Sequence, residues 1–64
     1  MFYTVEYGDG SRKVHEVDLN TRDALARFYA LKAAGAEKVR IIDKRGEQVE
    51  PHYLDLAIRG VRFG

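Results

Sequence analysis

The stretch Asn20-Thr-Arg-Asp-Ala-Leu-Ala-Arg-Phe-Tyr-Ala-Leu-Lys-Ala-Ala-Gly35 constrains this chain more than any other. It alone carries a clear helical period. Leu25, Phe28 and Leu31 recur at spacings of three and four, with Ala24 and Gly35 on the flanks, so they fall on one helix face. Asn20 suits the N-cap, and Asp23 puts an acid in the first turn, near the positive end of the dipole. Gly35 suits the position just past the end, where a left-handed conformation is needed. An apolar helix face needs a sheet to cover it, and the flanking segments are short enough to be its strands.

Residues 2–7 are aromatic and β-branched, as strands favour. Their alternation sets Tyr3, Val5 and Tyr7 on one face and Phe2, Thr4 and Glu6 on the other. Gly8-Asp9-Gly10-Ser11 supplies turn chemistry for a hairpin. Its return strand is expected over residues 12–19, with His15, Val17 and Leu19 on one face and Val14, Glu16 and Asp18 on the other. After the helix, residues 38–43 read as a third strand in which Val39 and Ile41 oppose Arg40 and Ile42. Asp43-Lys44-Arg45-Gly46 is a second turn, and a short fourth strand is expected over residues 47–50. Pro51 can open a helix because its missing N–H is not needed at the first helical position. Gly60 closes that helix. The order β-β-α-β-β-α gives an α+β fold. Its small antiparallel sheet has strand order 2-1-3-4, through a split β-α-β unit. The long helix packs on one face, over Tyr3, Val5, Tyr7, Val17, Leu19, Val39 and Ile41, and a single small domain spans residues 1–64.

A chain of 64 residues buries only about 60% of the surface that its unfolded form exposes. Such small domains are commonly reinforced by disulfides, a metal or self-association. There is no cysteine, which removes disulfides, thiolate zinc sites and a cysteine nucleophile. Two histidines far apart make a poor metal set, so no cofactor is expected and self-association is the remaining reinforcement. Eleven basic residues against ten acidic ones give a net charge of +1 and a pI near 8.1, below the roughly 9 typical of a nucleic-acid-binding domain. No apolar run approaches the ~18 residues of a membrane span, and the first residues lack the pattern of a signal peptide. A cytoplasmic, soluble protein without a membrane partner is the expectation.

No residue set converges on catalysis. The Gly8–Ser11 loop lacks the Gly-Lys-Ser/Thr ending of a phosphate-binding loop and joins two strands, so it reads as a turn. On a strand His15 points away from its neighbour Glu16 and so cannot converge with it and Asp18. Glu16 and Asp18 then read as surface carboxylates. His52 and Asp55 lie three apart on the second helix and can pair locally, but they lack a nucleophile or a third group. The expectation is a non-enzymatic protein with no small-molecule substrate.

Two features are left over once folding is accounted for. The sheet face away from the long helix carries Phe2, Val14 and Ile42 among polar residues. Burying each is worth roughly 1.5–3 kcal/mol, so a cover is expected: the C-terminal segment, a second copy or a protein partner. The helix also carries a small-residue stripe, Ala26, Ala30 and Ala33, on its back. Helix propensity explains it, and close approach of a partner would use it. These residues form the expected protein-interaction surface.

The second functional reading is weak nucleic-acid binding through Arg12, Lys13, Lys38 and Arg40, joined by Arg59 and Arg62. Arg12, Lys13 and Lys38 are expected at one end of the sheet, with Lys44 and Arg45 at the other. That split suits a phosphate backbone poorly, and Phe2 is the one aromatic available for base stacking. No family is identified from motifs. In topology alone, a β-hairpin followed by a helix resembles small DNA-binding modules of mobile-element recombinases. The leading expectation is a small protein-binding, regulatory module, self-associating as a homodimer, of the accessory type found in phages and mobile elements.

Overall fold

A computed structural model describes residues 2–60. Strands β1 (Phe2–Tyr7) and β2 (Val14–Asn20) precede helix α1 (Thr21–Ala33), and strands β3 (Arg40–Ile42) and β4 (Gln48–Val49) precede helix α2 (Pro51–Ile58). The sheet is antiparallel throughout, in the expected order β2-β1-β3-β4. The expected strands on either side of the helix are trimmed. β2 starts at Val14 because a short 3-10 turn, Gly10–Arg12, occupies the loop. β3 starts at Arg40 because Lys38 adopts a left-handed φ of 52°. Residues 61–64, with Arg62, lie outside the described residues.

The helix is anchored where the sequence places it. Asn20 Oδ1 accepts the Asp23 backbone N–H at 2.8 Å, satisfying one of the free donors of the first turn. Gly35, at φ +84°, lets the chain leave the helix. Ala24, Leu25, Phe28 and Leu31 are the buried face of α1. They meet Tyr3, Val5 and Ile41 of the sheet, with Leu54 of α2 fully buried among them. Both helices therefore pack on one face, giving two layers. The C-terminal helix does not cover the other face.

One expectation about β2 is overturned. Tyr3 pairs with Leu19, but Val5 pairs with Glu16, so Val17 and Asp18 together oppose the single residue Thr4. This is a β-bulge, and Asp18 takes the left-handed conformation (φ 58°) that lets one strand absorb the extra residue. Below the bulge the alternation is reversed. Leu19 still packs against the core. Glu16 and Val14, opposite Val5 and Tyr7, lie on the helix side, and His15, opposite Glu6, lies on the open side. Val17 does not join the core and is 62% exposed. Glu16 is no free surface carboxylate. The Arg27 Nε–H of α1 donates to both of its oxygens at 2.9 Å, which ties the helix to the sheet edge.

The first hairpin loop is held from two sides. Gly8 donates its N–H to the Glu37 carbonyl at 2.8 Å, fastening the end of β1 to the approach of β3. A Cβ at Gly8 would stand 2.4 Å from the Arg12 carbonyl oxygen, and the φ there is +96°, so only glycine fits. At the second hairpin, Asp43 Oδ1 accepts the N–H groups of Arg45 and Glu47 at 2.8 and 2.9 Å, and the Gly46 N–H closes on the Asp43 carbonyl. This is the expected turn, with the aspartate as its organiser.

Candidate protein-docking face

The face of the sheet left open by both helices is built in cross-strand rows. On β1, Phe2, Thr4 and Glu6 point outward because Tyr3 and Val5 point into the core. Thr4 stands beside Ile42 of β3, which in turn pairs with Gln48 of β4. Glu6 stands between His15 of β2 and Arg40 of β3. Phe2 is 46% exposed, and the Lys44 ammonium sits 5.4 Å from its ring centre. Phe2 and Ile42 thus lie where expected. Val14 does not, because the bulge moves it to the helix side of the edge strand, where it is 41% exposed.

Glu6 is the electrostatic centre of this face. Its side chain is only 12% exposed and meets three basic groups. His15 Nε2 lies 3.1 Å from one carboxylate oxygen; Lys13 Nζ lies 3.5 Å from the other, which also accepts a hydrogen bond from Arg40 Nη2. Burial alone pushes the Glu6 carboxyl up. The Arg40 guanidinium, Lys13 and His15 outweigh that and hold it below its ordinary value. Arg40 Nε is buried with no hydrogen-bond partner among the described residues, so the pairing fixes Arg40 without satisfying it.

The cations named from sequence separate into groups. Lys13, Lys38 and Arg40 line one hollow with Gly8, Asp9 and Gly10. Lys38 pairs with Asp9 at 3.1 Å, and Lys13 and Arg40 share Glu6. Arg12 is exposed in the adjoining 3-10 turn. Arg59 belongs elsewhere. It pairs with Asp55 of its own helix at 3.2 Å, which takes the partner expected for His52. The three cations of the hollow therefore pair with Asp9 in its lining and with Glu6 beside it.

At the other end of the open face, Asp18 and Asp43 border a small depression with Phe2, Thr4 and Lys44. Two acidic residues and one lysine border it, with Asp43 Oδ1 held by the turn and the Lys44 ammonium against the Phe2 ring. The open face is polar in the electrical sense, with a cationic excess at the first hairpin and an acidic excess beside Phe2.

On the helix layer Ala26, Ala30 and Ala33 are exposed, as expected. Ala26 and Ala30 border a shallow depression with Leu19, Asp23 and Arg27. A groove of about 400 Å³ runs between the second hairpin and the start of α2, bordered by Tyr3, Asp43, Arg45, Val49, Glu50 and Tyr53 among others. Among the described residues no three His, Asp or Glu side chains are grouped to hold a metal ion, and no helix is long and apolar enough to cross a membrane.

The Glu6 cluster is what sequence reasoning missed. Glu6 and Arg40 both read as open-face residues, and strand order 2-1-3 makes them neighbours. His15 was lost to the bulge, for which Asp18, a residue tolerant of the left-handed region, is the one local sign. Together these features define a two-layer α+β module with one mixed apolar and charged sheet face. No family model matches the chain, and neither the curated proteins nor the solved structures include a match.

Proposed function

We propose that this chain is a non-enzymatic, cytoplasmic protein-binding module of the regulatory or accessory kind found in phages and mobile elements, docking its partner on the open face of the sheet. The observation that carries the reading is the placement of both helices on the opposite face. Phe2 and Ile42 are left as apolar anchors on either side of Thr4, flanked by ordered ion pairs. Apolar anchors inside a polar rim are the anatomy of a protein interface. Sheet edges are poorer candidates. β4 has two residues, and β2 is interrupted by the bulge, a device that discourages strand addition.

The test is affinity capture from the native host with the wild-type chain, Ile42→Glu and a helix-layer control, Tyr29→Glu. A specific partner should survive Tyr29→Glu and be lost with Ile42→Glu. The reverse pattern would move the docking surface to the helix layer.

A second reading, weak nucleic-acid binding, is favoured by one observation: Lys13, Lys38 and Arg40 line a common hollow beside Arg12. Against it, Glu6 and Asp9 already pair with those three cations. Retention on DNA or RNA that falls steeply with salt, and weakens in an Arg12→Glu/Lys13→Glu variant, would support it. Retention indifferent to that double change would refute the patch.

A further inference from the structure

Resting on the reading of the open face as a docking surface, we propose that its occupant is a second copy of this chain. The two copies are related by a two-fold axis through the Thr4–Ile42 row. The argument is register and charge. A two-fold interface brings each feature against whatever lies equally far on the other side of the axis. Along β1 the Phe2 row and the Glu6 row lie two residues to either side of Thr4, roughly 7 Å each way. Turning a second sheet over on that axis sets each Phe2 against the partner's Glu6–Arg40 row.

The charges then match. Lys13, Lys38 and Arg40 outnumber Glu6 and Asp9 at one end, and Asp18 and Asp43 outnumber Lys44 at the other. Each cationic end meets an acidic end. A parallel superposition would set like on like. Ile42 meets its own copy at the centre, and the exposed ring of Phe2 stacks against the guanidinium of Arg40, whose side chain is 39% exposed.

Size sets the strength. Four strands at the six-residue length of β1 would span roughly 19 by 20 Å, and β3 and β4 are shorter, so the two faces together offer at most about 800 Å² in projection. That is below the ~1,200–2,000 Å² of stable specific complexes. The dimer is therefore weak and reversible, and forms at high protein concentration.

The experiment is sedimentation equilibrium of the full chain across a dilution series, with circular dichroism confirming that each variant folds. The wild type should shift from monomer to dimer on concentration. Ile42→Glu should weaken association at least about a hundredfold, since it places two carboxylates on the axis. Lys44→Glu should tighten it by about fivefold, two exposed charge pairs of about 0.5 kcal/mol each, an outcome that damage to the fold cannot produce. The chain has no cysteine, so Ile42→Cys gives a clean link to its own copy. Facing sheets lie about 10 Å apart, too far for a disulfide, so a short bis-maleimide is the probe. Ile42→Cys should cross-link and Tyr29→Cys should not.

A chain that stays monomeric at millimolar concentration overturns the second copy. It leaves the docking reading standing if capture still depends on Ile42, with another protein or the chain's own residues 61–64 as the occupant. A dimer indifferent to both Ile42→Glu and Lys44→Glu overturns the second copy on this face. Capture equally indifferent to Ile42→Glu would overturn the docking reading as well.

Discussion

Replacing Glu6 with glutamine removes one charge and nearly no volume, which makes it the sharpest probe of the open face. In the folded chain the carboxylate holds Arg40, Lys13 and His15. A charge-assisted hydrogen bond in a protected setting contributes about 1.5–3 kcal/mol, and an exposed ion pair about 0–1. Glu6 is nearly buried, but Arg40 and Lys13 are 39% and 40% exposed, so solvent screens their side of each pair. The discounted sum is about 1–2 kcal/mol. That is a large share of the ~5 kcal/mol at the low end of domain stabilities. With a urea slope of roughly 1 kcal/mol/M for so small a protein, Glu6→Gln should lower the unfolding midpoint by about 1–2 M at pH 7.

The pH dependence gives the refuting result. Because the folded carboxyl sits below its ordinary value, its contribution is complete above the unfolded value of about 4.3. It is lost as the pH falls through the lower folded value. Below that, protonated Glu6 and glutamine are equivalent. Urea unfolding of both proteins from pH 7 down to pH 2 should therefore show a gap that closes in the acid range. The other carboxylates titrate alike in both proteins and cancel in the difference. A gap as wide at pH 2 as at pH 7 would mean that glutamine disturbs packing, and the electrostatic account of the cluster would fall.

Three further outcomes follow from the local geometry. Asn20→Ala removes the side-chain cap on the Asp23 N–H and should cost about 1 kcal/mol in chemical denaturation. Leu54→Ala empties a fully buried position of α2 and should cost about 2–5 kcal/mol, with hydrogen exchange showing loss of protection in α2 ahead of α1. At the bulge, glycine for Asp18 should be tolerated within a few tenths of a kcal/mol. Valine should cost about 1–2 kcal/mol or more, because it must take a left-handed φ, and thermal melts of the pair would check this.

Much of the architecture was legible because each signal in the sequence had one physical meaning. The period of Leu25, Phe28 and Leu31 could only be a helix face. Asn20 and Gly35 fixed its ends, and Pro51 and Asp43 through Gly46 fixed the second helix and hairpin. Strand order came from one parsimonious step, setting the third strand beside the first. The face assignments of β2 were not legible. Strict alternation is a two-state code, and one inserted residue reverses everything beyond it. Leu19 kept its place because it lies on the helix-proximal side of the bulge; Val14, His15, Glu16 and Val17 did not. The face each β2 residue takes depends on register, so the strand-to-helix pair Glu16–Arg27 and the cross-strand pair Glu6–His15 were lost together.

That same inserted residue gives the open face its direction. With unbroken alternation, Glu16 would stand on the open face beside Glu6 and put two carboxylates at the end where the cations now dominate. His15 would point under the helix. The bulge instead sends Glu16 inward to Arg27 and brings His15 out to Glu6. It also leaves Asp18, in its left-handed conformation, beside Phe2 and Lys44 at the far end. The bulge thus settles the cationic end, whereas Asp18 and Asp43 mark the far end in either register. With the second carboxylate kept off the cationic end, the face has two unlike halves, and a two-fold axis between them sets opposite charges together. The feature that defeated alternation is therefore the one on which the self-docking proposal depends, and Asp18 links the strand geometry to it.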